Sequence, residues 1–325
     1  MQFALQRLVY LRIGHPETRL MQLLKHFLAY ACFCGGLIFA VSAGAQEDND
    51  PRSIGGGNCK QNAYNCIGTA NPLPPVSTIW IEEMTWIDVR DALAAGRTTV
   101  IIPAGGIEPN GPWIALGKHN YVVRPLCEAI ARKLGNALCA PVVPFVPEGD
   151  IDAGTGHMKS PGTVGVREET YEALLADLAH SMKAHGFQNI ILIGDHGGDV
   201  DGMKAVAAKL QDLWKSSPAV FYIPEYYKSW DGAVDLLYKK GLGKAGVTDG
   251  LHDDPTVTLS MMVTDPKTVR WEERVKTGKA TIDGVSIANK EKALRLGRDL
   301  VEYRAAVTAE AITKAIAGKP NSHSP

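Results

Sequence analysis

The chain has 325 residues, with 34 Lys and Arg against 35 Asp and Glu, and it is 45% hydrophobic and 21% charged. That suffices for one large domain or two small ones with a sizeable core. A net charge of -1 with no basic block gives nothing to attract nucleic acid or an anionic lipid surface, so a small-molecule or peptide ligand is the expectation.

The amino terminus reads as an address. Lys25 precedes an apolar run from Phe27 to Val41, and small residues follow up to Ala43, Gly44 and Ala45. This is the layout of a secretory signal with cleavage after Ala45, preceded by an upstream extension over residues 1–20. The run is too short, and too interrupted by Gly35 and Gly36, for a stable membrane anchor. Residues 1–45 are therefore expected to be removed on export to the periplasm or the exterior. Cys32 and Cys34 leave with them, and Cys59, Cys66, Cys127 and Cys139 remain in an oxidising compartment. Cys59 and Cys66 flank the polar loop KQNAYN and are predicted to close it with a disulfide. Cys127 and Cys139 fall in an apolar helix and an apolar strand. They read as buried small hydrophobes, with a second disulfide as the alternative.

Residues 46–75, rich in Gly, Asn and Pro, read as an extended polar arm. From 76 to 325 short apolar runs alternate with helical patterns. Strands are predicted at Thr98–Pro103, Ala137–Val143, Gln188–Ile193 and Ala219–Ile223, and helices at Asn120–Leu134, Glu168–Ala184, Gly202–Trp214 and Lys290–Ala317. This alternation predicts one α/β domain with a parallel sheet covered on both faces.

Ligands of such sheets bind in loops that leave the carboxyl ends of strands. Those loops carry Glu108, Asn110, His119, His157, Asp195, His196, Asp199, His252, Asp253 and Asp254. Imidazole and carboxylate groups converging from separate loops make a metal site, and Glu108, His119 and His196 are the ligand candidates. Such a site would activate water, which points to hydrolysis. Glu148, Asp150 and Asp152 read as a solvated acidic loop. Asp195 reads either as a turn cap or as the partner that sets a nearby histidine's tautomer. Tyr226, Tyr227 and Trp230 read as pocket-lining or interface aromatics. No Gly-x-Ser-x-Gly elbow, H-E-x-x-H pair or dinucleotide fingerprint is present.

Four of these segments, in order, resemble motifs of the creatininase (creatinine amidohydrolase) family. TVIIPAGGIEPNGPWIALGKHN is similar to PxGsxEqHGpHLPlgtD, and GHMKSPGT to HxxfPGT. HGFQNIILIGDHGGD is similar to hGfxxivivNgHGGN, and DGLHDDPTVTLSMM to dxHAGexETSxml. The resemblance implies a three-layer α/β fold, hydrolysis of an amide bond in a small molecule, divalent zinc or manganese, and homo-oligomers, commonly hexamers. Glu108 and His196 match metal-ligand positions. Asn110 and Trp113 stand where the family has histidines, His119 where it has an aspartate bridging two metals, and Val257 where it has a glutamate ligand. These departures imply one metal per chain, held by Glu108, His119 and His196. His252 and Asp254 are then the expected proton-handling residues, and Asn110, Trp113, His157 and Asp199 the expected substrate contacts. The alternative is a non-catalytic periplasmic binding protein on the same fold.

Overall fold

A computed structural model describes residues 59, 62–244 and 250–318; the predicted signal segment and half of the predicted arm lie outside them. The chain divides into two units, Met1–Thr69 and Ala70–Pro325. In the first, Cys59 and Cys66 are joined by a disulfide around a short 3-10 turn, Ala63–Asn65, which Asn62 caps by accepting the Tyr64 N–H.

The second unit is built on four parallel strands: β1 (Thr99–Ala104), β2 (Ala137–Cys139), β3 (Asn189–Gly194) and β4 (Ala219–Tyr222), in the order β2-β1-β3-β4. Every residue of β1 and β3 is buried, which explains why both are continuous apolar runs rather than alternating ones. Full burial of side chains such as Ile101, Ile190 and Leu192 contributes about 1.5–3 kcal/mol each. The register pairs Thr99 with Asn189 and Ala104 with Gly194, so the two central strands end side by side. The predicted strand Ala137–Val143 stops at Cys139, because Pro141 lacks an N–H and breaks the ladder. Val143 returns to Ala104 by a single bridge.

Helices α1 (Trp86–Ala94), α2 (Lys118–Leu134), α3 (Glu168–Ala184), α4 (Val200–Trp214), α5 (Pro224–Lys239), α6 (Pro255–Thr264), α7 (Trp271–Lys276) and α8 (Lys290–Ala317) complete the unit with a small hairpin, β5 (Thr281–Ile282) and β6 (Val285–Ser286). Helices α2, α5, α6 and α8 pack together over β1 and β3, while α3 and α4 pack together against β3 and β4. The chain leaves β1 towards β2 and then reverses towards β3 and β4. Right-handed crossovers in opposite directions put these two groups on opposite faces. The reversal also makes the carboxyl ends of β1 and β3 the topological switch point, where such sheets open a crevice. Cys127 of α2 and Cys139 of β2 form a disulfide, so the reading of two free buried thiols is corrected: α2 lies directly on β2 and brings both side chains together. Among the described residues, no helix is long and apolar enough to cross a membrane.

Candidate metal centre

The loop after β1 delivers Glu108 to the switch point. Its backbone is clipped by two asparagines: Asn120 Oδ1 accepts the Gly106 N–H (3.1 Å), and Asn110 Nδ2 donates to the carbonyls of Glu108 (3.1 Å) and Ala115 (3.0 Å). Glu108 is only 1% exposed. Its Oε2 faces His196 Nε2 at 2.8 Å and His157 Nδ1 at 3.0 Å. Its Oε1 faces Lys118 Nζ at 2.5 Å, His119 Nε2 at 3.0 Å and His252 Nδ1 at 3.0 Å. Burial alone would raise the pKa of this carboxyl, but hydrogen bonds from His119, His196 and His252 outweigh it and hold it well below the usual carboxylate range.

His196 leaves β3 in a turn that demands small neighbours. A Cβ at Gly194 would stand 2.5 Å from that of Asp199, and one at Gly198 only 2.4 Å from the Pro147 carbonyl. Asp199 Oδ2 accepts the His196 N–H (3.1 Å), and Gly198 N–H donates to His196 Nδ1 (3.0 Å). With Nδ1 accepting, the ring proton sits on Nε2 and points at Glu108.

Glu148 is 3% exposed, so its reading as a solvated loop acid is corrected. The chain returns to the sheet at Val143 and carries Glu148 inward, where Oε2 meets His157 Nδ1 at 2.8 Å and His196 Nε2 at 3.2 Å. Oε1 is buried with no hydrogen-bond partner among the described residues. His157 is held by its N–H to the Glu148 carbonyl (2.9 Å) and by Thr163 Oγ1 donating to its own carbonyl (2.9 Å).

Glu108, Glu148, His157 and His196 thus present four ligand atoms within 4.8 Å of one another. Two imidazoles and two carboxylates suit zinc or manganese. The 2.8–3.2 Å nitrogen to oxygen separations are slightly below the ~3.3 Å edge of a tetrahedron drawn at zinc–ligand distances of ~2.0–2.1 Å. Glu148 also keeps a buried Oε1 with no hydrogen-bond partner among the described residues, an unmet acceptor on the carboxylate whose Oε2 faces both imidazoles. The residues fit a metal, with one condition: His157 Nδ1 and His196 Nε2, which both face carboxylate oxygens, must give up their protons there to offer those nitrogens.

His119, a ligand candidate in the sequence, stands on the other oxygen of Glu108. Its Nδ1 meets Asp195 Oδ2 at 2.8 Å, so of the two readings of Asp195 the structure places this carboxylate on an imidazole. Asp195 is fully buried, and its Oδ1 accepts from Tyr226 Oη (2.8 Å) and Arg304 Nη2 (3.3 Å). Burial opposes ionisation of both groups. The hydrogen bond from His119 and the charge of Arg304 nevertheless lower the pKa of Asp195, and hydrogen bonds to Asp195 and Glu108 raise that of His119.

A cavity of about 670 Å³ opens above the cluster, lined by Glu108, Lys118, His119, His157, His196 and His252 and walled by Tyr227 and Trp230 of α5. Asp254 also lines it, capping α6 by accepting the Val257 N–H (2.9 Å); burial pushes its carboxyl up. Val257 is a buried apolar part of the wall. His252 adopts a left-handed backbone (φ 57°) and turns Nδ1 towards the Pro109 carbonyl (3.2 Å) and Asn110 Oδ1 (3.3 Å). Trp113 lies over Arg274 at 5.6 Å, and Asp199 is fully buried beneath the His196 turn; neither lines the cavity. A second groove of about 590 Å³ beside β4 contains Lys204 and Lys228 but no carboxylate or imidazole.

Comparison with known proteins agrees with this architecture. Residues 82–323 match the family model described as creatininase, creatinine amidohydrolase. Creatinine amidohydrolase of Pseudomonas putida is 23% identical over 119 residues, 37% of this chain and 45% of that protein. A 3-dehydro-scyllo-inosose hydrolase of Thermotoga maritima is 28% identical over 203 residues, 61% of this chain and 60% of that protein. The chain thus spans about half the length of the curated relatives it matches. A creatininase crystal structure shares the fold at a TM-score of 0.56 and 19% identity, covering 74% of this chain and 98% of the other. A mutant creatininase of Zn-Zn type gives 0.55 at 18%, covering 74% and 99%. With three quarters of its length matched and its cluster lying at the sheet's switch point, the chain belongs to the creatininase family.

Proposed function

We propose that the protein is an exported, metal-dependent hydrolase that cleaves an amide C–N bond in a small molecule. The observation that carries this is the group of Glu108, Glu148, His157 and His196, of which Glu108, His157 and His196 line a 670 Å³ cavity. One divalent ion, zinc or manganese, would be held by these four; when bound, it polarises a carbonyl and lowers the pKa of water. Relatives support the choice of metal, since solved creatininases include Zn-Zn and Mn forms.

The remaining work falls to the chain's own groups. Among the described residues, His252 Nδ1 faces three acceptors, Glu108 Oε1, the Pro109 carbonyl and Asn110 Oδ1, which places a proton there and leaves the Nε2 lone pair free. Nε2 takes a proton from the attacking water and returns it to the departing nitrogen. Asp254, whose carboxyl is pushed up by burial, lies in the same wall as a second proton-handling group. Tyr227 and Trp230 supply flat apolar surface for the substrate. Export is supported by the disulfides Cys59–Cys66 and Cys127–Cys139.

The test is hydrolysis of a panel of small linear and cyclic amides by zinc- and manganese-loaded protein, with His196→Ala and His252→Ala as controls. Turnover that requires metal and both histidines is expected. Metal-independent binding of the panel without turnover would instead support a binding protein on this fold.

A further inference from the structure

We infer that Lys118 is a built-in cation of the centre: its ammonium occupies the Oε1 side of Glu108 and restricts the site to one metal, held on the Oε2 side. This rests on the metal reading above and adds the stoichiometry and the residue that sets it.

Glu108 has two differently used oxygens. Oε2 belongs to the ligand group, with His157 at 3.0 Å and His196 at 2.8 Å beside Glu148. Oε1 collects Lys118 Nζ at 2.5 Å, His119 Nε2 at 3.0 Å and His252 Nδ1 at 3.0 Å. A carboxylate oxygen has two lone-pair sites, so three donors leave Oε1 saturated and unable to bridge to a second metal. Without the ammonium, however, Glu108 Oε1 with His119 Nε2 and His252 Nδ1, once these two nitrogens give up the protons they direct at it, would be a three-ligand set for a cation, with Asp254 in the same wall. Lys118 stands where that cation would go.

Its setting points the same way. Lys118 is 4% exposed, and a buried lysine persists only when paired. It is the first residue of α2, the positive end of a 17-residue helix that has no acidic residue in its first turn and no side-chain cap. A cation is unfavourable there, and Glu108 and Asp254, arriving from other loops, are the anions that offset it. Helix α2 thereby presents Lys118 and His119 together to one carboxylate oxygen, and the sheet presents the ligand group to the other.

The experiment is zinc titration of the purified full chain, followed by calorimetry and by metal analysis after desalting, with circular dichroism as a folding check. Wild type is expected to hold one zinc per chain. Lys118→Met, which keeps the apolar stem and removes the charge, is expected to hold two, and Lys118→Arg to stay at one. Folded Lys118→Met that still saturates at one zinc overturns the inference, as does a wild type that holds two. If Lys118→Met does not fold, the wild-type stoichiometry and Lys118→Gln decide by the same criteria. Glu148→Gln separates the two readings. If wild type binds no zinc and Glu148→Gln changes nothing, the metal reading fails; if wild type binds one, Glu148→Gln weakens it and Lys118→Met stays at one, only the role of Lys118 fails.

Discussion

Asp195 Oδ2 lies 2.8 Å from His119 Nδ1, so a carboxylate leaving β3 fixes an imidazole in the first turn of α2. Behind it stand Tyr226 and Arg304, and in front His119 Nε2 reaches Glu108 Oε1 at 3.0 Å. Four elements are joined through one line of charge-assisted hydrogen bonds that ends on the central carboxylate of the site. Partners of this kind orient an imidazole and set which nitrogen carries its proton.

Asp195→Asn is therefore expected to lower hydrolytic activity by about tenfold, acting through His119 on the ligand carboxylate of Glu108. Steady-state kinetics on any amide that the wild type turns over provide the check, and unchanged kcat/KM would reduce Asp195 to a brace of the fold.

Arg304 is wholly buried beneath this line. Its Nε donates to Ser229 Oγ (2.9 Å), its Nη2 to Asp195, and its guanidinium lies 4.1 Å from the Trp230 ring centroid. Arg304→Met leaves the Asp195 charge buried without its cation and should cost about 3–5 kcal/mol. Urea unfolding measures this; a loss below about 1 kcal/mol would show that His119 and Tyr226 suffice for Asp195.

The central strands were legible because TTVIIP and QNIILI are apolar runs between polar turns, and Glu108 and His196 because they follow those runs directly. Glu148 was not, since EGDIDAG has the composition of a solvated loop. Its burial comes from a distant event, the return of Val143 to Ala104, and from room left by glycines: a Cβ at Gly106 would lie 3.0 Å from Glu148 Oε1, and one at Gly165 3.0 Å from Glu148 Cβ. Lys118 reads as an ordinary helix-terminal lysine until the fold supplies Glu108. Arg304 sits in a helix whose other long cations face solvent, and its carboxylate partner is 109 residues away. The bond between Cys127 and Cys139 depends on how α2 seats on β2, which no local pattern encodes.

Metal loading should change His196 in a way that its backbone neighbour reports. Nδ1 accepts the Gly198 N–H, so Nε2 carries the proton and cannot ligate until that proton leaves or moves. Zinc binding is expected to release or transfer this proton and to shift the Gly198 amide resonance, and chelation should reverse both. Calorimetry in buffers of different ionisation enthalpy and NMR of glycine-labelled protein are the measurements. A silent Gly198 amide on saturation would exclude His196 Nε2 as a ligand. Glu148→Gln should weaken zinc by at least about tenfold.

The Cys127–Cys139 bond ties α2 to β2 across a separation of 12 residues, with both side chains fully buried. Closing a loop of that size stabilises by about 2–4 kcal/mol. The double variant Cys127→Ala, Cys139→Ala should lose that amount in denaturant unfolding, and reductant should destabilise wild type more than the variant, which keeps only the Cys59–Cys66 bond.

At the start of α1, Thr85 and Asp88 cap each other. Asp88 Oδ2 accepts from Thr85 N (2.9 Å) and Oγ1 (2.6 Å), Thr85 Oγ1 accepts the Asp88 N–H (3.2 Å), and Asn71 Nδ2 donates to Asp88 Oδ1 (2.8 Å). The hydrogen bonds from Thr85, with that from Asn71, lower the Asp88 pKa against the opposing effect of burial. For an acid whose folded pKa is depressed, the stabilisation is complete above the unfolded value of ~3.9 and is lost as pH falls through the lower folded value. Asp88→Asn should therefore cost stability at pH 7 and flatten the acid limb below about pH 4, where wild type loses this contribution. Thr85→Ala should cost about 1 kcal/mol at neutral pH through the cap alone. Thermal unfolding of the three proteins between pH 3 and pH 7 tests both, and an acid limb of Asp88→Asn parallel to that of wild type would remove Asp88 from the account of acid stability.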